Sequence, residues 1–415
     1  MLDKKPLLFV SHRVGNFGGV MAEYSEDKLR CLEETGTPTY VITSLDSTPI
    51  PRNNLHFYRV PSFSYIELKE QFHLLRIRNL SIPVQGYLMY PIAFAFGSIF
   101  DLILRRKFAA SHGGFWGWGF TAVPVAFSVL IIKRAKVIFS TGSAAAGLIG
   151  ALLKKITRRP FFYEVPDPVV GVTMSYSTAR LSRIESLEQF LIRNSTRTVF
   201  VTKFAALRAR ERCPSLAKRI TTIYPGSWDF QKKVNHQDGD LISIVHLGSL
   251  YGTRNLNVFL ESLQELTKLP EFARQKFKVI NIGGVDSQLP KINNPHIEVQ
   301  ILPEVRRQDA LEYGASASIL LLLQHDDARS LETIPYKFYD YLNLCLPVIG
   351  LVENQEIVQI LKGSAAFLAP VNSTELTTVA ISDCVRAVLG GQQPVYNHFD
   401  IRDQFRKIFE TANHD

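Results

Sequence analysis

Glu332-Thr333-Ile334-Pro335-Tyr336-Lys337-Phe338-Tyr339-Asp340 runs on through Tyr341-Leu342 to Leu346-Pro347-Val348-Ile349. Two acids eight positions apart on one helix would sit about 80° apart around it, but Pro335 interrupts the run. The spacing therefore assigns Glu332 to a loop and Asp340 to a helix that Pro335 opens at its first position. A loop carboxylate, a first-turn lysine and an acid behind it make a compact polar site above an apolar helix. Such a site suits a ligand carrying both hydroxyls and phosphate.

Upstream, His246-Leu247-Gly248-Ser249-Leu250-Tyr251-Gly252-Thr253-Arg254-Asn255 follows the strand signal Leu241 to Leu247 and precedes a helix signal over Leu256 to Leu269. Glycine at a strand end removes steric bulk, and Arg254 six residues on supplies forked donors, a pairing that suits a diphosphate. Phe277 to Ile282 reads as the next strand, meeting Gly283-Gly284, and Ile319 to Leu323 as another core strand. Pro303-Glu304-Val305 closes a strand of the same half.

The first half repeats the alternation. Leu7 to Val10 reads as a buried strand, then comes a Gly-rich loop ending at Gly18-Gly19, a helix over Met21 to Leu32 and a strand over Thr39 to Thr43. That order predicts a parallel sheet. Gly18 and Gly19 allow close backbone approach, and the following helix N-terminus favours anions; a purely structural turn fits them equally well. Val137 to Ser140 and Pro160 to Val165 are further strands, with a small-residue helix over Ala144 to Leu153 between them. Asp167 follows the second of these. A carboxylate at the carboxyl end of a strand faces the ligand crevice of an open sheet, the alternative being an aspartate that caps a turn. Turn residues Tyr224-Pro225-Gly226-Ser227 mark a boundary. It predicts domains over 1–225 and 226–415, with a closing helix over 395–412 for which folding back on the first domain is one reading.

A chain of 415 residues is too long for one ordinary core. Its net charge of +9 is unevenly spread. Through Pro225 there are 30 Lys+Arg against 15 Asp+Glu, or +15, and the remainder has 17 against 23, or −6. A basic first half points to an anionic partner. Cys31, Cys213, Cys345 and Cys384 have no short spacing, which argues against a zinc site or a redox pair and fits a reduced cytosolic compartment. Leu7 to Val10 is too short for an export signal. There is no G-x-G-x-x-G, and no Lys-Ser/Thr follows Gly142 or Gly147, so a nicotinamide Rossmann domain and a P-loop are disfavoured. Tyr87 to Leu104 carries one charge and Phe115 to Ile132 none. Three readings fit these stretches: a membrane hairpin, core helices, or helices dipping into an anionic bilayer surface beside Arg105-Arg106-Lys107 and Lys133-Arg134-Ala135-Lys136. His112 to Trp118 fits a contact loop or apolar packing.

The Glu332–Ile349 stretch resembles the E-x7-E signature of family 4 type retaining glycosyltransferases, in the variant P-x-K-x-x-E-Y-L…P-V-I, with Asp340 where the family usually has Glu. Gly248-Ser249-Leu250-Tyr251…Arg254 is similar to the G-S-L-Y-x-x-R pattern of a bacterial surface-polysaccharide sub-branch. Phe162 to Pro168 resembles its D-x-R-D-P-W segment, with Glu164 for the first acid, Pro166 for Arg and Val169 for Trp. The resemblance implies the α/β GT-B fold, two Rossmann-like domains with a nucleotide-sugar donor in the second. It implies catalytic roles for Glu332, Asp167, Arg254 and Lys337. Donor or acceptor binding would fall to Gly18, Gly19, Gly248, Arg254, Pro303, Val305, Lys337 and Asp340, with the backbone near Pro303 and Val305 reading the base. It implies no cofactor and no metal, only a nucleoside-diphosphate sugar as substrate. The acceptor is expected to be lipid-linked, and the protein peripheral on the inner face of the plasma membrane. Two alternatives share the architecture: a nucleotide-sugar epimerase and a non-catalytic scaffold.

Overall fold

The computed structural model describes residues 4–15, 19–107, 115–172, 176–230, 241–286, 288–364 and 366–410. Gly18 and His112 to Gly114 lie outside them. The chain divides into two compact units, 1–224 with 401–415, and 225–400. Each is a parallel sheet with helices between its strands, as the alternation predicts.

In the first unit the strands are β1 (Leu7–Val10), β2 (Thr39–Ser44), β3 (Leu55–Val60), β4 (Val137–Thr141), β5 (Phe161–Val165), β6 (Arg197–Phe200) and β7 (Ile220–Thr222). They pair in the order β3-β2-β1-β4-β5-β6-β7. In the second unit β8 (Leu241–Leu247), β9 (Lys276–Ile282), β10 (Ile297–Leu302), β11 (Ile319–Leu323), β12 (Val348–Leu351) and β13 (Ala366–Ala369) pair as β10-β9-β8-β11-β12-β13. In both sheets the order reverses beside the first strand, and in open α/β sheets that switch point is where ligands bind, at the carboxyl ends. Fully buried strands such as β11, Ile-Leu-Leu-Leu-Leu, are covered on both faces, which is why they are continuously apolar rather than alternating.

The small-residue helix spans Ala144–Thr157, with the Ser143 hydroxyl accepting from Ala146 N. Gly147 and Gly150 lie directly against the rings of Tyr163 and Phe161, where a Cβ would collide. The closing helix is shorter than its apolar pattern predicts, Ile401–Phe409, and it belongs to the first unit rather than the second. The reason is its aromatic face. Phe405 lies 5.4 Å from Phe139 and Phe409 lies 5.1 Å from Phe162, while Arg402 pairs with Glu34 at 2.7 Å.

The first apolar stretch is one helical run, Val84–Ile92, a wider turn Ala93–Gly97, and Ser98–Lys107. Pro91 lies just before the wide turn; it has no N–H to give the preceding turn, and such insertions relieve the ladder there. Gly97 abuts the Phe63 carbonyl, and the Asp101 carboxylate accepts from Ile66 N at 3.3 Å. The second stretch is the helix Trp116–Ile132, whose first N–H groups at Gly117 and Trp118 donate to Glu67. Trp118 is wholly buried, so apolar packing accounts for it.

Candidate active site

Two polar residues interrupt otherwise apolar strands of the second unit. His246 in β8 and Asn281 in β9 are register partners, and both are fully buried. Asn281 Nδ2 donates to the Gly283 carbonyl at 2.9 Å, which turns its Oδ1 towards His246 Nδ1 at 2.7 Å. An amide oxygen only accepts, so Nδ1 carries the proton and Nε2 is left bare. Lys337 Nζ donates to that Nε2 at 2.5 Å and to the Leu247 carbonyl at 2.5 Å. Burial, with a contribution from Lys337, pushes His246 well below the usual histidine range. Burial and then Arg254 push the Lys337 ammonium well below the usual lysine range.

Glycine is required around this group. Gly248 has φ +107° and sits exposed, and a Cβ there would stand 3.4 Å from Lys337 Nζ. Gly283, at φ +139°, presses on the backbone of Gly248, where a Cβ would lie 2.6 Å away. These glycines open a passage from solvent to the lysine. Arg254 closes the other side. Its guanidinium lies 5.4 Å from the Tyr251 ring centre, and its buried Nε has no hydrogen-bond partner among the described residues. Burial pushes the Arg254 charge down as well. Among the described residues neither Lys337 nor Arg254 pairs with a carboxylate, so two basic side chains, Arg254 from the loop after β8 and Lys337 from the first turn of its helix, are left with no carboxylate partner.

Glu332 ends a short helical turn, Arg329–Glu332, and is 4% exposed. Its segment is fixed from below. Asn354 Nδ2 donates to the carbonyls of Ser330 and Leu331, and Gln324 Nε2 donates to that of Thr333. Gln324 Oε1 in turn accepts from Glu353 N and Asn354 N, both at 3.0 Å. The next helix begins at Lys337, with Tyr336 as its N-cap, so Pro335 precedes the helix rather than opening it. His325, after β11, is pushed down to about 4 by burial and then by Arg254 and Arg329.

Asp340 is buried one turn beyond Lys337 and already has partners. Arg307 Nη2 and the Ser227 hydroxyl each donate to its Oδ1 at 2.5 Å, and Arg307 Nε donates to Oδ2 at 3.2 Å. A carboxylate offers about four lone-pair positions, so the pair keeps capacity for one further donor. Pro303 is exposed and Val305 half-buried in the connection after β10, whose Leu302 carbonyl accepts from Gly283 N. They therefore share the sheet end with Gly248.

Gly248, Arg254 and Lys337 are thus brought together, with Glu332 and Asp340 in the segments flanking Lys337. Gly19 and Asp167 belong to the first unit. Gly19 caps the helix Val20–Glu34 at φ +73°, and Asp167 is exposed on the bend after β5. Glu164, read as equivalent to a family acid, is instead buried. It accepts from Tyr24 Oη and Thr141 Oγ1, both at 2.7 Å, and pairs with Lys28 at 3.2 Å. His246, Asn281, Arg307, Ser227, Gln324 and Asn354 were not anticipated; the only sign of the first two was a polar residue inside an apolar strand.

No protein-family model and no curated protein matches the chain. Solved structures match it over nearly its whole length. HepE from Anabaena, in complex with UDP and glucose, is 13% identical with a TM-score of 0.53, over 97% of this chain and 98% of that one. The trehalose-phosphate synthase of Burkholderia xenovorans, in complex with glucose-6-phosphate, is 11% identical with a TM-score of 0.58, over 97% and 96%. A putative UDP-N-acetylglucosamine 2-epimerase from Listeria monocytogenes is 10% identical with a TM-score of 0.52, over 97% and 94%. With its two parallel sheets of seven and six strands, the chain has the GT-B fold.

Proposed function

We propose that the protein is a retaining glycosyltransferase of family 4 type. It takes a nucleoside-diphosphate sugar as donor and a lipid-linked acceptor at an anionic membrane surface. The observation that carries this is the pair of basic side chains, Lys337 and Arg254, neither matched by a carboxylate among the described residues, set around Gly248 at the switch point of the second sheet. An anion of two phosphates would neutralise both. As the glycosidic bond ionises, the same donors would stabilise the charge growing on the leaving diphosphate. Glu332 would orient the donor sugar's hydroxyls. Asp340, held by Arg307 and Ser227, would accept from the ribose. HepE binding UDP supports a uridine nucleotide as the first donor to try.

The deciding experiment incubates the protein with a panel of nucleotide sugars and bacterial lipid extract and weighs the products by mass spectrometry. Release of nucleoside diphosphate with a matching gain on a lipid supports transfer. An isomerised nucleotide sugar without transfer favours an epimerase, and no binding or turnover favours a scaffold. Arg254→Ala is expected to weaken UDP binding about 10- to 100-fold by calorimetry, since a hydrogen bond to a charged group contributes about 1.5–3 kcal/mol. Unchanged affinity would remove Arg254 from the site.

The membrane part rests on the helix Val84–Ile103, whose apolar window is only 22% buried. Val84, Leu88, Phe94, Phe96 and Ile99 are each at least 60% exposed. Asp101 and Gly97 tie this helix to the unit beneath, which suits a helix lying in the bilayer surface rather than crossing it. Exposed Lys133, Arg134 and Lys136 end the neighbouring apolar helix and suit anionic headgroups. Phe94→Ser with Phe96→Ser is expected to reduce co-sedimentation with phosphatidylglycerol vesicles at least about tenfold, each ring contributing about 1.5–3 kcal/mol when buried. Equal sedimentation of variant and parent would count against this surface.

A further inference from the structure

We propose that His246, oriented by Asn281, is a positioning residue that aims Lys337 at the diphosphate, and that ligand binding there takes up a proton on Lys337. The inference rests on the donor-site reading above and concerns how that site is prepared.

The geometry leaves little freedom. With Asn281 Nδ2 committed to the Gly283 carbonyl, the His246 ring presents an unprotonated Nε2 to the lysine. A neutral amine has two N–H groups. One goes to the Leu247 carbonyl and the other to His246 Nε2, both at 2.5 Å. What remains on nitrogen is its lone pair, beside Gly248, where the absent side chain leaves access. Protonation there adds the third N–H, the one free to meet a phosphate oxygen. The proton comes from solvent and no covalent bond to the ligand forms.

The cost of charging Lys337 in the empty site is plain from its surroundings. Lys337 is only half-buried, yet burial is the larger cause of its lowered pKa, and Arg254 is the nearby charge that opposes it. The other groups facing it do not compensate. His246 is neutral, and His325, pushed down by burial and then by Arg254 and Arg329, is neutral above about 4. On its own helix Tyr341 is pushed up, donating its hydroxyl to the Leu321 carbonyl and accepting from Leu247 N. The charge of Asp340 is already matched by Arg307, with Ser227 donating to the same oxygen. A diphosphate supplies the missing negative charge and favours the ammonium. Binding thus raises a depressed lysine pKa, so the complex holds the proton to higher pH than the empty protein. Between those two values affinity falls as pH rises, by up to about tenfold per unit.

The test is calorimetry with UDP from pH 7.5 to 9.5, in buffers of differing ionisation enthalpy. A terminal phosphate with a second pKa of about 6 is already ionised there. The parent protein is expected to take up as much as one proton per UDP, with affinity declining at the alkaline end. Lys337→Met is expected to abolish the uptake. His246→Leu removes the acceptor that steadies the ammonium. It is expected to bind UDP about tenfold more weakly and to begin its alkaline decline at lower pH, while His246→Gln, which keeps an acceptor, restores part of both. Should His246→Leu fail to fold, Asn281→Ala, which frees the ring and also removes the donor to the Gly283 carbonyl, is expected to move the pH profile in the same direction. UDP binding with no proton uptake, or a profile identical in parent and His246 variants, overturns this inference alone. No UDP binding by the folded parent overturns the donor-site reading and this inference with it.

Discussion

On the proposed transferase reading, Glu332→Gln is expected to lower the turnover of sugar transfer about 100- to 1,000-fold while leaving UDP affinity within about twofold. The size follows from removing one preorganised charged group that acts where charge develops. Glu332 is suited to that role because its backbone cannot drift. Asn354 and Gln324 hold the carbonyls on both sides of it, at Ser330, Leu331 and Thr333. Glutamine keeps the shape and an acceptor but removes the charge, so hydroxyl binding survives and electrostatic stabilisation does not. Steady-state rates together with UDP calorimetry separate the outcomes. Turnover within about threefold of the parent removes Glu332 from the reaction. A parallel loss of UDP affinity and of folding temperature makes it a structural group instead.

How far the sequence foretold this site depended on whether the signal was local. Gly248, Arg254 and Lys337 were legible because a glycine after a strand and a cation before or within the next helix are features of one short segment. The two-sheet fold was legible for the same reason, through runs such as Ile319–Leu323. The edge strand β3 was not. In β3, Leu-His-Phe-Tyr-Arg-Val, only the two ends are buried, so its pattern is neither continuous nor strictly alternating. Asn281 and His246 meet only because β8 and β9 pair in register, and no spacing within either strand announces it. Arg307 reaching Asp340 and Asn354 reaching Ser330 are of the same kind. The closing helix was legible as a helix that could fold back on the first domain, but its partners were not, since its aromatic face packs on β4 and β5, far earlier in the sequence.

Glu164 teaches the converse, that a motif-like acid can be structural, and its substitution carries the largest expected loss of stability. Lys28 and Glu164 are each 2% exposed. The lysine Nζ also lies 2.9 Å from the centre of the Tyr24 ring, and the Tyr24 hydroxyl donates to Glu164. Burial pushes the Lys28 ammonium down even beside this carboxylate, so the pair is not a strong net source of stability. Breaking it from one side is another matter. Glu164→Ala strands a buried lysine together with the Tyr24 and Thr141 hydroxyls, and is expected to cost about 3–5 kcal/mol in denaturant unfolding of the first unit. Lys28→Met leaves Glu164 with both hydroxyl donors and is expected to cost clearly less, about 1–3 kcal/mol. The sign with pH follows from the lysine. Because its folded-state pKa lies below the unfolded value, the unfolded chain binds more protons, and the parent gains stability as pH rises towards the ordinary lysine range. That alkaline gain should be absent from Lys28→Met. If the two substitutions cost the same, or if nucleotide-sugar turnover collapses in Lys28→Met at full folding, the cluster is part of the chemistry rather than a support for the sheet that carries Asp167.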